Sequence, residues 1–150
     1  MAPGWEVAGP ARHYYLDSAE HLPRPEGVEE IELTEAIRSS LRALTEPGEW
    51  REAGLDAASA AAFAVMDEAG PVAVAALGGF RDTQADVRVL VRPDSRGHGF
   101  GYAVAAAAAR HAVENEGIAR WRCLESNLGS LALARRLGFH WWCSQIAAGP

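Results

Sequence analysis

The stretch VRVLVRPDSRGHGFG, from Val87 to Gly101, decides the fold. Its first half alternates as a strand does, with three valines on one face and Arg88 and Leu90 on the other. Pro93-Asp94 stops this strand, and a loop with three glycines leads into an alanine-rich segment. The order strand, glycine-rich loop, helix predicts an anion site. The first turn of a helix carries unpaired N–H groups, and glycines let a phosphate come close to them.

Hydrophobic periodicity predicts the other elements on both sides of this stretch. Downstream it indicates a helix over 100–115 closed by Gly117, a strand over 120–124, a helix over 128–137 ended by Gly138, and a last strand over 139–146. Upstream it indicates a short strand over 13–16, helices over 28–44 and 49–55, and strands over 61–66 and 71–77, the last broken by Gly78-Gly79. We therefore expect an α+β fold with a mixed sheet and helices on both faces.

The length of 150 residues fits one domain. Residues 1–27 are rich in Pro and Gly and are interpreted as a partly irregular extension whose short strand lies at an edge of the sheet. Residues 28–150 are expected to form the functional domain. No apolar run approaches the roughly 20 residues of a membrane span, and the N-terminus lacks the pattern of a secretory signal. We expect a cytoplasmic protein without a membrane partner.

The net charge of −6 and the lack of a basic block argue against a nucleic-acid partner. An acidic surface suits a cationic amine as substrate. Cys123 and Cys143 show no CxxC pair and no metal spacing with histidine, so we expect reduced thiols and no metal. A disulfide between them would require that their strands are neighbours.

The glycine-rich loop does not match the common nucleotide motifs. A P-loop needs a lysine and a hydroxyl residue after its last glycine, and none follows Gly101. A dinucleotide fingerprint needs glycine where Tyr102 or Val104 stands. The pattern [QR]-x-x-G-x-[GA] does fit, as the run from Arg96 to Gly101. With the preceding VRPD, this run resembles the acetyl-CoA signature of the GCN5-related N-acetyltransferases (GNAT).

A second motif strengthens the resemblance. In this family a strand is followed by N-x-x-[AS]-x-x-x-x-x-x-x-G-F, and here Asn127 and Ser130 precede Gly138-Phe139 at that spacing. The two motifs occur in order, separated by one helix and one strand. The resemblance covers about residues 61–146. It implies a mostly antiparallel sheet with one splayed parallel pair of strands, and transfer of an acetyl group from acetyl-CoA to an amine.

The resemblance also implies where coenzyme A binds. Its pantetheine arm would pair with the backbone of the strand before the loop, and its diphosphate would meet the loop amides. A backbone N–H near Leu90 or Val91 would stabilise the oxyanion. The residues implied in cofactor binding are Val89, Leu90, Val91, Arg96, Gly97, His98, Gly99, Phe100, Gly101, Tyr102, Asn127 and Ser130. Asn127 is equally well explained as a helix N-cap.

The general acid and base depart from the family pattern. Many relatives carry tyrosine seven places after the asparagine, where this chain has Ala134, and some carry glutamate five places before it, where this chain has Arg122. Glu125 is a substitute candidate for the base, and Ser126 and Tyr102 are candidates to donate a proton to sulfur. Transfer through a water chain with an unassisted thiolate is a further option.

The acceptor is expected to be a small-molecule or peptide amine, and the sequence does not choose between them. Asp82 and Asp86 flank the expected acceptor side and are candidates to bind a cation. Because the usual acid and base are missing, the alternative is a regulatory domain that binds acyl-CoA without catalysis. Trp141 and Trp142 point to opposite sheet faces, so one of them is expected in the core. The chain ends where relatives usually add a strand, so the sheet is expected to be short there, or completed by the His13–Leu16 segment or by a second copy in a homodimer.

Overall fold

The computed structural model describes residues 6–80 and 82–149, which form one seven-stranded mixed sheet and four α-helices. The strands are β1 (Glu6–Leu16), β2 (Glu29–Ile31), β3 (Ser59–Asp67), β4 (Gly70–Phe80), β5 (Thr83–Val91), β6 (Ala119–Leu124) and β7 (His140–Gly149). The helices are α1 (Glu35–Leu44), α2 (Pro47–Ala53), α3 (Phe100–Glu116) and α4 (Leu128–Arg136). A short 3-10 turn, Pro93–Ser95, follows β5. Over these residues, no helix is both long and apolar enough to cross a membrane.

The sheet has helices on both faces, as predicted. Its strand order is β2-β3-β4-β5-β6-β1-β7, and only β5 and β6 form a parallel pair among the ladders of the described chain. One core lies under α3 and α4 and includes the buried alanine stripe of α3 together with Val87 and Trp121. The other lies under α1 and α2 and includes Leu41, Trp50 and Leu90. The alternation predicted for β5 is confirmed, since its valines and Leu90 enter different cores.

The N-terminal strand lies inside the sheet, between β6 and β7, so the prediction of an edge position is wrong. Residues Ala11 to Leu16 pair antiparallel with β6, and residues between Glu6 and Tyr15 pair antiparallel with β7. The sequence shows why this strand is drawn inwards, because Tyr14 and Leu16 are buried in the core on the α3 face. The end of the sheet was expected to be short, or to be completed by the His13–Leu16 segment or by a second copy. The structure shows completion by the chain's own N-terminal segment.

Two predicted boundaries are wrong for identifiable reasons. Residues 28–33 are not helical, because Glu29–Ile31 form the edge strand β2 against β3, and α1 begins only after Thr34, whose Oγ1 accepts from the N–H of Ile37. The strand β4 also continues through Gly78-Gly79 to Phe80. A Cβ on Gly78 would lie 2.3 Å from the Cζ of Arg88, so this glycine makes room for a guanidinium group rather than ending the strand.

Neither tryptophan of β7 is in the core, which corrects the expectation that one would be. Trp141 is 59% exposed and Trp142 52% exposed. Strand β7 is the last strand of the sheet, and the helices of the described chain pack over more central strands. The two cysteines are free thiols. Strand β1 separates β6, which carries Cys123, from β7, which carries Cys143, so the condition for a disulfide is not met.

We predict that β1 contributes to stability as a core strand does. Tyr14→Ala should lower the free energy of unfolding by about 3–5 kcal/mol, as for other large buried aromatic residues. Its neighbour Tyr15 points to the opposite face and is only half-buried, so Tyr15→Ala is the matched control and should cost much less. Urea unfolding followed by tryptophan fluorescence measures both variants. Equal and small losses of unfolding free energy in the two variants would show that β1 contributes little to stability.

Candidate active site

A cleft opens in the sheet where the two parallel strands separate. Strands β5 and β6 pair at one position among the described residues, Asp86 opposite Arg120, and diverge beyond it. The cleft continues into a cavity of about 1060 Å³ that is lined by both strands, the glycine-rich loop, and residues of α2, α3 and α4. A gap inside a sheet leaves backbone donors and acceptors of both strands without strand partners. A ligand that enters it can therefore pair with main-chain groups.

The glycine-rich loop closes one end of this cavity with unpaired amide groups. Gly97 and Gly99 have φ of 83° and 84°, a left-handed conformation that favours glycine, and a Cβ at either position would meet open space. Within the described part of the chain, no N–H of residues 96–102 donates to a backbone carbonyl, whereas the next N–H, that of Ala103, donates to Gly99. These donors surround the N-terminus of α3, a 17-residue helix. The loop therefore has the geometry of the predicted anion site.

Gly101 has a different role, because it lets α3 approach β5. A Cβ at this position would lie 3.0 Å from Cγ2 of Val91 and 3.7 Å from Cδ2 of Leu133. The first turn of the helix thus rests directly on the end of the strand. This contact fixes the direction in which the free amides of the helix point.

The backbone of β5 turns half of its polar groups into the cleft. The N–H of Arg92 donates to the carbonyl oxygen of Val72 on β4 at 2.8 Å. Bonded and non-bonded pairs alternate in an antiparallel ladder, and the register between β4 and β5 has no shift in this part. Val89 and Val91 therefore direct their N–H and C=O groups towards β6, while Leu90 pairs with β4. Of the two expected oxyanion donors, Val91 is the one that faces the cleft.

The opposite wall is built by β6 and the start of α4. Asn127 is the N-cap of α4, as the sequence indicated, since its Oδ1 accepts from the N–H of Ser130 at 3.1 Å. The Oγ of Ser130 accepts from Nε1 of Trp121 at 3.0 Å. Ala134, at the position where many relatives carry tyrosine, is fully buried in the core. That position therefore has no hydroxyl group and no access to the cavity.

Helix α2 reaches both walls of the cleft with two carboxylates one turn apart. Glu49 pairs with Arg96 of the loop, with 2.5 Å between Oε2 and Nη2, and this pairing lowers the pKa of Glu49. Glu52 accepts from the N–H of Leu124 at 3.3 Å and from Nδ2 of Asn127 at 3.2 Å. The helix is anchored by Trp50, which is buried in the core beneath it. The sequence pattern predicts this helix but not its role in the site, because nothing local marks its contacts.

A largely buried carboxylate lies where the cleft begins. The side chain of Asp86 is 17% exposed, and its Oδ2 accepts from Nε of Arg88 at 3.3 Å. Burial raises the pKa of Asp86, and the positive charges of Arg88 and Arg122 offset part of that effect. Nη1 of Arg88 also donates to the carbonyl oxygen of Gly54 at 3.2 Å, which connects the strand to the end of α2. Asp86 is thus a carboxylate that accepts a proton more readily than an exposed one.

The structure brings together all of the residues predicted for cofactor binding except one. His98 is exposed and is not among the cavity-lining residues, while the others line the cavity. Of the candidate catalytic residues, Ser126 and Tyr102 line the cavity, and the guanidinium of Arg136 lies 3.9 Å from the centroid of the Tyr102 ring. Glu125 does not line it and instead pairs with Arg12 at 3.2 Å. Asp82, the other flanking acid, is exposed and also lies outside the lining.

The sequence model of the acetyltransferase (GNAT) family matches residues 19–139. No curated protein matches the sequence. Among solved structures, a GNAT-family protein from Novosphingobium aromaticivorans is 21% identical with a TM-score of 0.69, and the match covers 97% of this chain and 66% of that one.

Two further solved structures show the same fold. A GCN5-related N-acetyltransferase-like protein from Streptococcus suis is 18% identical with a TM-score of 0.66, over 97% of this chain and 62% of that one. A Drosophila protein is 16% identical with a TM-score of 0.74, over 97% of this chain and 51% of that one. This chain thus spans between half and two thirds of the length of these structures.

The splayed strand pair, the loop of free amides and the family match define the class of the protein. The chain belongs to the GNAT acetyltransferase family. The match begins at residue 19, so β1 lies outside it although β1 holds one wall of the cleft.

We predict that Glu49 weakens the binding of a diphosphate at the loop, because its carboxylate occupies Arg96 and repels a second anion. Glu49→Gln should tighten the binding of coenzyme A about three- to tenfold, which corresponds to roughly 1 kcal/mol. Isothermal titration calorimetry measures this affinity. The control is Glu46→Gln at the N-cap of α2, an exposed residue that does not line the cavity. Weaker binding by the Glu49 variant, with the control unchanged, would mean that the Glu49–Arg96 pair shapes the site instead.

Proposed function

We propose that this protein transfers an acetyl group from acetyl-CoA to an amine by direct attack of the amine on the thioester. The observation that carries the proposal is the cleft between β5 and β6, which ends at a helix N-terminus whose amides have no backbone acceptors. A thioester of coenzyme A needs three things from such a site. They are donors for its diphosphate, an unpaired strand edge for its amide-containing arm, and an open end where an amine can reach the carbonyl carbon.

The residues present fit these needs. The amides of residues 96–102 and the guanidinium of Arg96 suit the diphosphate, and the cleft-facing groups of Val89 and Val91 suit the amides of the arm. The side chain of Asn127 lines the opposite wall and presents its Nδ2 to Glu52 in this structure. When bound, acetyl-CoA supplies an activated acyl carbon and a thiolate leaving group. The roles below belong to the protein's own residues.

Asp86 is the candidate general base in this proposal. As the amine attacks, a C–N bond forms and the C–S bond breaks, and the nitrogen must lose a proton. Asp86 lies where β5 and β6 begin to separate, and its burial raises its pKa towards values useful for proton transfer. The N–H of Val89 also faces the cleft and, three residues from Asp86, is placed to donate to the oxyanion, whereas Val91 lies about 16 Å from Asp86 along the strand. Asp86 replaces Glu125 as the favoured base, since Glu125 is held by Arg12 away from the cavity lining.

Ser126 and Tyr102 stay the candidates for returning a proton to the thiolate. Both line the cavity, on opposite walls. Tyr102 belongs to the first turn of α3, under the guanidinium of Arg136. Ser126 lies between the end of β6 and Asn127, near the wall that faces the thioester in this proposal. The buried Ala134 cannot take this role.

The buried Ala134 also favours a second candidate function, a domain that binds acyl-CoA without turning it over. Release of free thiol from acetyl-CoA, followed with a chromogenic disulfide reagent across a panel of amines, separates the two. Turnover with at least one amine above the rate of hydrolysis supports the enzyme. Tight binding of coenzyme A without turnover of any amine supports the binding domain. A cytoplasmic location and a homodimer are further expectations from the sequence, and light scattering over a concentration series tests the dimer.

We predict that a carboxylate in the loop prevents binding of coenzyme A. Gly99→Glu places bulk and negative charge among the free amides, and should weaken the affinity about a hundredfold or more. Gly117→Glu is the matched control, because Gly117 caps the other end of α3 with a similar φ of 78° and equally open surroundings. Calorimetry with coenzyme A should show loss only for the first variant. Unchanged affinity in Gly99→Glu would refute the loop as the diphosphate site.

We predict that Asp86→Asn lowers the turnover number about a hundredfold or more, the usual contribution of a general base. The wild-type rate should increase as the pH rises through the raised pKa of Asp86, because only the carboxylate form accepts a proton. The asparagine variant should lack this limb of the profile. Thiol release at saturating substrates from pH 4.5 to 8 measures both profiles. If Glu125→Gln removes the limb and Asp86→Asn keeps it, the base is Glu125.

A further inference from the structure

Arg122 is a cation that lines the cavity and has no hydrogen-bonded or ion-paired partner among the described residues. It lies on β6, is exposed, and lines the cavity. Over residues 6–80 and 82–149 its guanidinium makes neither an ion pair nor a side-chain hydrogen bond. Its neighbours Trp121 and Cys123 enter the core on the α3 face. Alternation along the strand therefore directs Arg122 to the other face, where Asp86 lies.

Arg122, Arg88 and Asp86 together carry a net positive charge, although the protein as a whole is acidic. Arg88 lies on the same face of β5, and His13 stands opposite Arg122 in the register between β1 and β6, so that their side chains share a face. Asp86 is the only carboxylate of β5 and β6 that lines the cavity, and Arg88 already binds it. The other lining carboxylates come from α2 and the residues after it, and each has a partner of its own: Glu49, Glu52 and Asp56.

The diphosphate of coenzyme A does not account for this charge. The parallel pairing of Asp86 with Arg120 places Arg122 level with Arg88, three residues before β5 ends. That separation is about 10 Å along the strand, and the loop with Arg96 begins beyond it. The pantetheine arm of coenzyme A, which would lie between Arg122 and the loop, carries no charge. The guanidinium of Arg122 is therefore set for a different anion, near the reacting end of the cavity.

We infer, on the basis of the proposed function, that Arg122 binds a carboxylate carried by one of the two reacting substrates. This carboxylate belongs either to the amine acceptor, as in an amino acid, or to the acyl group, as in a dicarboxylic acyl thioester. A guanidinium binds a carboxylate through two parallel hydrogen bonds, a geometry that a lysine ammonium cannot reproduce. With an amino acid acceptor, the carboxylate lies on Arg122 and the amine is directed towards Asp86. The acceptor class then becomes anionic or zwitterionic amines, not the simple cationic amines that the net charge favoured.

The experiment uses matched substrates. Thiol release is measured with a panel of amino acids, their carboxamides and the corresponding decarboxylated amines, with acetyl-CoA as donor. A second arm gives the simple amines succinyl-CoA in place of acetyl-CoA. Each arm is repeated with Arg122→Gln, with Arg122→Lys, and with Arg135→Gln as control. Arg135 is exposed on α4 and does not line the cavity.

The wild type should prefer the carboxylate-bearing member of one arm. Arg122→Gln should raise the KM of that substrate about tenfold to a hundredfold, while the KM of its neutral counterpart and the affinity for coenzyme A stay within about twofold. Arg122→Lys should restore part of the loss, and Arg135→Gln should match the wild type. The arm of the experiment in which Arg122→Gln raises the KM shows whether the acceptor or the acyl group carries the carboxylate.

Two results would overturn the inference, and they differ from each other. An active enzyme that uses neutral and carboxylate-bearing substrates equally well in both arms refutes the role of Arg122 and leaves the transferase function intact. Thermal unfolding of each variant excludes a folding defect as the cause of a change in KM. If no pair gives thiol release while calorimetry shows bound coenzyme A, the proposed function fails and the inference fails with it.

Discussion

Strand β6 is hydrogen-bonded along its length on one side only, and the candidate active site depends on this. Its six residues pair with β1, while β5 pairs with it at the single position of Asp86 and Arg120. An isolated strand edge inside a sheet would close on its neighbour to satisfy its backbone groups. The ladder to β1 satisfies only the groups on the other side and holds β6 in place, while α2 bridges the gap with Glu49 and Glu52, the latter accepting from the N–H of Leu124. Strand β1 therefore helps to hold the cleft open, although it lies outside the matched family region.

The parts of the fold that sequence predicted well are those with local causes. Glycines with left-handed φ at both ends of α3, the N-cap at Asn127 and the alternating valines of β5 each act over a few residues, so their effects can be read along the chain. The loop residues of the candidate site were found for the same reason. His98 is the exception, because exposure of one side chain within a loop depends on how the loop turns and not on its motif.

The parts that sequence missed depend on contacts between distant residues. The pairing of β1 with β6 and β7 joins residues more than a hundred positions apart. A short aromatic run does not indicate which strands it will pair with. The two-residue step from Ile31 to Leu33 falls at the end of an edge strand, β2, whose ladder lies on β3. Gly78 was interpreted as a strand breaker. Its lack of a Cβ instead leaves room for the guanidinium of Arg88 on the adjacent strand. In each case the local pattern was compatible with two structures, and tertiary pairing selected one.

Charge behaves in the same way, since the net value of −6 does not describe the cleft. Exposed charges more than about 8–10 Å apart are largely screened at physiological ionic strength, so the acids spread over the surface contribute little at the reacting end. What a substrate meets there is set by groups within a few ångströms, and these are Arg88, Arg122 and one buried carboxylate. The partial burial of Arg88 and Asp86 also strengthens their interaction relative to water. The sign of the field in a cavity therefore follows from which strand positions face it, and here the inward positions of β5 and β6 carry arginine.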